Sequence, residues 1–263
     1  MISIREISKT YDSGPPAVDR LSLEISTGEI VVLLGASGCG KTTTLKMINR
    51  LVEPSAGEIH VDGRDTQDLD PVLLRRGIGY VFQGIGLFPH WTVEDNIAAT
   101  PRLLGWDEKR IHARVEELLE RVGLVAEEIR GRRPSELSGG QQQRVGVARA
   151  LAAEARVLLM DEPFGAVDPV TRDALQQELI AMREELELTI VLVTHDVTEA
   201  LLLADRIAVM DRGRILQVDR PAELFARPAD EIVERLLAMP RRQSERIQQF
   251  VHENDRPGGG VES

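Results

Sequence analysis

Apolar residues along the chain follow two rhythms. Ile2, Ile4 and Ile7 fit a half-buried strand whose alternation slips near its end. Leu21, Leu23 and Ile25 alternate cleanly with Ser22, Glu24 and Ser26, and Gly14-Pro15-Pro16 breaks the chain between the two runs. Ile30, Val31, Val32, Leu33 and Leu34 form an unbroken run, as in a strand buried on both faces of a parallel sheet. A glycine-rich turn follows, then a helix predicted over about 41–51. Residues 57–61 read as a short strand stopped by the Asp62-Gly63 turn signal.

The stretch 89–133 reads as helical. Its best helix is predicted over 107–122, where Ile111, Val115, Leu118, Leu119 and Val122 share one face; Asp107 can cap its start and Gly123 can end it. The strand-and-helix rhythm then returns. Residues 157–160 read as a buried strand. Pro169 suits the first position of a helix capped by Asp168, with Leu175, Leu179, Met182 and Leu186 as its stripe. Residues 189–193 form the next strand, and Asp196-Val197-Thr198-Glu199 has the spacing of a capping box. Strands at 207–210 and 215–218 flank Asp211-Arg212-Gly213, a hairpin signal. From about Arg241 the chain turns polar, and Pro257-Gly258-Gly259-Gly260 is expected to fray. No internal repeat is visible. This succession predicts an α/β fold: a mainly parallel core sheet with helices on both faces, an N-terminal antiparallel β part and a helical insertion. Ligands on such sheets bind at the carboxyl ends of the strands.

Composition narrows the picture. Against 32 Lys and Arg stand 43 Asp and Glu, a formal charge of −11, so no general attraction to nucleic acid or anionic lipid is expected. Hydrophobic residues make up 42% of the 263, enough for a core. A single Cys permits no internal disulfide and suits a reducing compartment. No apolar run approaches the ~18 residues that cross a bilayer, and the N-terminus lacks a signal-peptide pattern. The expectation is a soluble, cytoplasmic, globular chain.

Three motifs carry chemistry. Gly35-Ala36-Ser37-Gly38-Cys39-Gly40-Lys41-Thr42 fits G-x-x-x-x-G-K-[ST]: glycines turn backbone N–H groups onto phosphate oxygens, Lys41 adds charge at the β- and γ-phosphates, and the Thr42 hydroxyl binds Mg²⁺. In Val157-Leu158-Leu159-Met160-Asp161-Glu162, a buried strand delivers Asp161 to hold Mg²⁺ through water and Glu162 to polarise a water for in-line attack. In Leu137-Ser138-Gly139-Gly140-Gln141, Ser138 and Gln141 have capping-box spacing. That motif reads both as a well-capped helix and as a helix N-terminus aimed at a phosphate.

Together these motifs resemble the ATP-binding cassette (ABC) ATPase family, over about 11–225; the last is that family's signature. The resemblance implies nucleotide contacts from Gly35, Ser37, Gly38, Cys39, Gly40, Lys41, Thr42 and Thr43, and across a dimer from Ser138, Gly139, Gly140 and Gln141. It implies that Tyr11 stacks on adenine, that Gln83 reaches Mg²⁺ and the attacking water, and that His195 contacts the γ-phosphate. Asp168 matches the D-loop, although Val167 stands where the family often has Leu, and it is equally a helix cap. Cys39 reads as a small residue filling a turn or as a reactive thiol. His60, His90, His112 and His252 lack comparable placement.

The family packs two cassettes head to tail, so the single motif set implies two copies or a close partner, and a homodimer is expected. The cassette is expected over 1–240, with a helical subdomain at about 89–150 and a polar, partly disordered tail at 241–263. Separate transmembrane permease subunits would supply the pore and an extracytoplasmic binding protein the solute, on the cytoplasmic face of a bacterial membrane, with no nucleic acid. The strings 47–54 and 74–90 resemble importers of quaternary-amine osmoprotectants such as glycine betaine; the alternatives are an importer of another small polar solute, to which the same strings could be general, and a soluble ABC ATPase outside transport. Many osmoprotectant importers carry tandem CBS domains after the cassette; here ionic-strength sensing by that module is in doubt.

Overall fold

The computed structural model describes residues 2–254 apart from Ser13 and Ala166. In chain order its strands are β1 (Ile2–Lys9), β2 (Val18–Ile25), β3 (Ile30–Gly35), β4 (Ala56–Val61), β5 (Arg64–Asp65), β6 (Ile78–Val81), β7 (Val157–Asp161), β8 (Thr189–Thr194), β9 (Arg206–Asp211) and β10 (Arg214–Asp219). The α-helices are α1 (Lys41–Ile48), α2 (Pro71–Gly77), α3 (Val93–Leu103), α4 (Glu108–Arg121), α5 (Ala126–Ile129), α6 (Gly139–Leu151), α7 (Pro169–Leu186), α8 (Val197–Leu203), α9 (Pro221–Ala226) and α10 (Glu231–Asn254).

The core sheet runs β10-β9-β3-β8-β7-β6 and is parallel except for β10, the hairpin partner of β9. Every residue of β3, β7 and β8 is buried, which is why their sequences read as largely apolar runs. Register places the site. Leu34 pairs with Thr194 and Asp161 with Val193, so β3, β7 and β8 end together along one edge of the sheet. The two faces of this sheet bury separate apolar clusters. One holds the insertion helices, with Val115 and Leu118; the other holds α1 and the N-terminal sheet, with Leu45 and Ile4.

The second sheet, β2-β1-β4-β5, is antiparallel, as expected. The register slip in β1 is a break between Ile4 and Ile7 against β2, with Glu6 at φ 47°, and it leaves both isoleucines buried. Asp62 and Gly63, at φ 50° and 75°, make the tight turn between β4 and β5; Arg212 and Gly213 do the same between β9 and β10.

Several boundaries differ from expectation. Helix α1 stops at Ile48 rather than near 51: Arg50 turns left-handed at φ 55° and donates to the carbonyls of Thr66 and Leu69. The polar tail expected from 241 is helical to Asn254 within α10. Residues 241–254 contain no glycine and many strong helix formers, so their polar composition is compatible with a helix. Residues 257–260 lie outside the described residues. The insertion is as read: α4 buries its predicted face and Asp107 caps it, accepting from the Arg110 N–H. Among the described residues no helix is long and apolar enough to cross a membrane.

The box predicted at 196–199 is only half made. Asp196 accepts from the N–H groups of Thr198 and Glu199, but its own N–H donates to Thr194 Oγ1 at 3.0 Å. The Glu199 side chain turns inward, 5% exposed, and accepts from Gln176 Nε2 at 3.4 Å. Burial raises its pKa, against hydrogen bonds that lower it. An acid whose folded pKa is raised contributes no penalty while protonated in both states, and its burial costs stability as pH rises through the folded value. Glu199→Gln is therefore expected to gain in melting temperature relative to the parent as pH rises from about 4 to 8. A pH-independent difference between the two melting curves would show that Glu199 ionises freely in the fold.

Candidate functional site

The turn between β3 and α1 is built on glycine. Gly38 and Gly40 take left-handed φ values of 79° and 104°. A Cβ on Gly35 would sit 2.3 Å from the Met210 carbonyl, and one on Gly40 2.4 Å from that of Ala17. The loop is thus pressed against β9 and the entry to β2, and the Gly213 N–H donates to the Cys39 carbonyl at 3.0 Å. Within this cradle Lys41 is 5% exposed; its Nζ donates to the carbonyls of Gly35 at 2.7 Å and Ala36 at 2.9 Å. Ser37 and Gly38 are exposed, and Thr42 and Thr43 half-buried. Cys39 is buried, and burial raises its thiol pKa despite the neighbouring Lys41 charge. That environment favours the turn-filling reading over a reactive thiol.

Across the sheet edge, Thr42 Oγ1 donates to Asp161 Oδ1 at 2.8 Å. Burial raises the Asp161 pKa, opposed by the Thr42 hydrogen bond and the Lys46 charge. Glu162 follows with φ 46°, a rare conformation for a residue with a side chain, held by its N–H donating to the Val193 carbonyl at 2.9 Å. Its carboxylate is the meeting point of three strand ends. Oε2 accepts from Gln83 Nε2 at 3.1 Å, after β6, and Oε1 lies 3.2 Å from His195 Nδ1, after β8. The structure therefore unites Lys41, Thr42, Gln83, Asp161, Glu162 and His195 along one edge, where an anion, a hard cation and a polarised water can be held together.

The remaining predicted residues stand apart from this cluster. Ser138 and Gln141 complete both halves of their capping box at the start of α6, at 3.2 and 3.0 Å, with both residues available to solvent. Among the described residues no hydrogen bond or ion pair joins 138–141 to the phosphate turn. A Cβ on Gly140 would come 2.5 Å from Thr171 Cγ2, so the starts of α6 and α7 touch and the Ser138 segment lies beside the Asp168 cap, which accepts from the Thr171 N–H at 3.1 Å. Tyr11 is 49% exposed, with Lys9 Nζ 5.2 Å from its ring centre. Two neighbours of Asp161 carry no motif of their own in the sequence. Lys46 lies one helical turn beyond Thr42. Tyr80 has a buried hydroxyl with no hydrogen-bond partner, its pKa pushed up first by burial and then by the Asp161 charge. The spacing of Lys46 on α1 could have revealed it; Tyr80 is visible only once β6 pairs with β7.

Comparison with known proteins agrees with this geometry. The family model described as ABC transporter matches residues 18–165. The chain is 54% identical over 241 residues to the choline transport ATP-binding protein OpuBA of Bacillus subtilis, covering 92% of this chain and 63% of that protein. It is 55% identical over 237 residues to the osmoprotectant import ATP-binding protein OsmV of Salmonella typhimurium, covering 89% of this chain and 62% of that one. The chain thus spans a little over three fifths of these relatives' length. Among solved structures, a dimeric ATP-binding cassette in a post-hydrolysis state bound to ADP and Pi superposes with a TM-score of 0.76 at 34% identity, over 84% of this chain and 99% of that one. The turn cradling Lys41, the acids ending β7 and the capped Ser138 helix are therefore the parts of a cassette, and the chain belongs to the ABC transporter family.

Proposed function

We propose that the chain is the ATP-hydrolysing subunit of a bacterial importer, working as a homodimer to drive uptake of a quaternary-amine osmoprotectant such as glycine betaine. The observation that carries the catalytic half is the Glu162 carboxylate held between Gln83 and His195 beside the phosphate turn. On binding ATP, Lys41 would exchange the Gly35 and Ala36 carbonyls for the β- and γ-phosphates, with backbone N–H groups of the turn, Thr42 and Thr43 around them. Tyr11 would cover the adenine. Mg²⁺ suits the hard oxygen donors present: the Thr42 hydroxyl and Asp161 carboxylate, 2.8 Å apart, with the Gln83 amide oxygen as a third. When bound it would neutralise charge on the β- and γ-phosphates.

Glu162 then takes a proton from a water aligned by Gln83 as that water's oxygen bonds to the γ-phosphorus. The bond to the β–γ bridging oxygen breaks, its electron pair staying with ADP, and His195 donates to the γ-phosphate oxygens. Ser138, Gly139, Gly140 and Gln141 act on the ATP held by the other copy, with Asp168 beside them at the interface. Binding closes the pair because one γ-phosphate then meets two helix N-termini.

The membrane partners are permease subunits, with an extracytoplasmic binding protein supplying solute and this chain on the cytoplasmic face. The surface suited to them is a groove of about 640 Å³ running from Gln83 past the exposed Phe82, Phe88 and Leu103. The similarity to choline and osmoprotectant import subunits supports the solute class. The test is uptake of labelled glycine betaine at high osmolarity by cells carrying the parent chain or Lys41→Ala, with other betaine routes deleted. Uptake lost in the variant is the expected result. Unchanged uptake alongside ATP hydrolysis by the purified parent would discard the solute and keep the ATPase.

A further inference from the structure

Arg149 is an unusual residue for the interior. It is 9% exposed on α6, and among the described residues it forms no ion pair with a carboxylate. Its guanidinium donates instead to two backbone carbonyls of the segment just after Gln83: Nη1 to Gly86 at 2.8 Å and Nη2 to Ile85 at 3.1 Å. A buried cation whose hydrogen bonds go only to carbonyl dipoles is retained at a cost in desolvation, so those two bonds matter to it. Burial alone lowers its pKa, in keeping with the absence of a nearby acid.

The segment it holds is strained. Gly84, Ile85 and Gly86 are consecutively left-handed, with φ values of 76°, 71° and 62°. Two glycines accept this readily, but for a β-branched residue it is an outlier that surrounding contacts must enforce. Beside the local bonds from the Ile85 N–H to the Phe82 carbonyl and the Gly86 N–H to the Gly84 carbonyl, contacts come from α6. Ile85 is 8% exposed, and its Cγ2 would lie 3.3 Å from a Cβ on Gly146, one helical turn before Arg149. Gly146 and Arg149 thus form one clamp, the first leaving room for the Ile85 side chain and the second gripping its carbonyl. The Phe88 ring, 5.9 Å from the guanidinium, carries the contact on to the groove.

We propose that Arg149 is a positioning residue for the reaction: by holding 84–86 in its left-handed form it keeps the Gln83 amide on Glu162 and ties that contact to the helix that begins at Ser138. This rests on the reading of Gln83 and Glu162 as parts of the ATPase site. Movement of α6 at the dimer interface is then felt at Gln83 through α6 itself, without passing through the phosphate turn.

The test is steady-state ATP hydrolysis by the purified full chain. Lysine keeps the charge but cannot fork onto two carbonyls. Arg149→Lys is expected to lower kcat by up to about 10²-fold, the scale for a catalytic group displaced by about 1 Å, with KM for ATP unchanged. Ile85→Gly removes the strain that makes the clamp necessary, so adding Arg149→Lys to that background should cost less than about 2-fold. A merely structural role predicts the same loss in both backgrounds. An equal loss in both, or a kcat for Arg149→Lys equal to the parent's, overturns the proposal. Should Arg149→Lys not fold, Gly146→Ala, which pushes on Ile85 Cγ2, must lower kcat at constant KM, and an unchanged kcat there overturns it equally. A parent chain that hydrolyses no ATP would instead sink the reading of the site.

Discussion

The Glu162→Gln variant is expected to bind MgATP as tightly as the parent and to turn it over at least ~10²-fold more slowly, the usual contribution of a positioned general base. The substitution is isosteric, so the left-handed backbone at 162, pinned to the Val193 carbonyl, has no reason to change. Lys41, Thr42 and the turn glycines, proposed to hold the phosphates, make no hydrogen bond to Glu162 among the described residues. What is lost is the carboxylate that accepts from Gln83 and faces His195, and with it the acceptor for a proton from water. Binding without turnover should leave the closed dimer accumulated in MgATP, visible by size-exclusion chromatography. Rapid turnover by the variant would remove Glu162 from the role of base. Loss of nucleotide binding would mean that it holds the ligand rather than activating water.

The second large effect is expected at Gly40. Gly40→Ala should reduce ATP affinity more than about 10-fold and lower the melting temperature by more than about 5 °C, because backbone strain and a hard clash combine there. The new Cβ would sit 2.4 Å from the Ala17 carbonyl, at φ 104°. Neither side can yield cheaply. Ala17 is tied to the Lys9 carbonyl through its own N–H at 2.8 Å, and Gly40 accepts from the Thr44 N–H at the start of α1. Gly38→Ala separates the two causes. Gly38 is left-handed at φ 79° with nothing within 4 Å of its would-be Cβ. Only strain remains there, about 1–2 kcal/mol. Equilibrium nucleotide binding and thermal unfolding of both variants check the ranking; equal losses would mean that strain alone matters in this turn.

Much of the architecture was legible because it follows from short-range rules. The largely apolar runs of β3, β7 and β8 announced a parallel sheet, and the α4 face was readable residue by residue. Where two expected features did not form, another partner had taken the group concerned. Glu199 has the spacing to reach back to the Asp196 N–H, but Thr194 already accepts from it, and Glu199 goes inward to Gln176 on α7. The early end of α1 depends on Arg50 finding the carbonyls of Thr66 and Leu69, beyond any local window. The clamp of Arg149 on Ile85 crosses more than sixty residues, and nothing in either stretch announces it.

By itself the sequence determined the elements and the chemical vocabulary. Periodicity dictates which face of a segment must leave water, and the glycine spacing before Lys41 allows a turn that few other sequences can make. The assembly of the site belonged to the tertiary structure. Gln83, Glu162 and His195 are nearly eighty and more than thirty residues apart; their motifs mark each as a candidate, but nothing local brings them together. They meet because the core sheet orders its strands β8-β7-β6 and in register, so that three carboxyl ends fall on one edge. That order depends on backbone hydrogen bonds and burial summed over the whole sheet, which no local stretch of residues encodes.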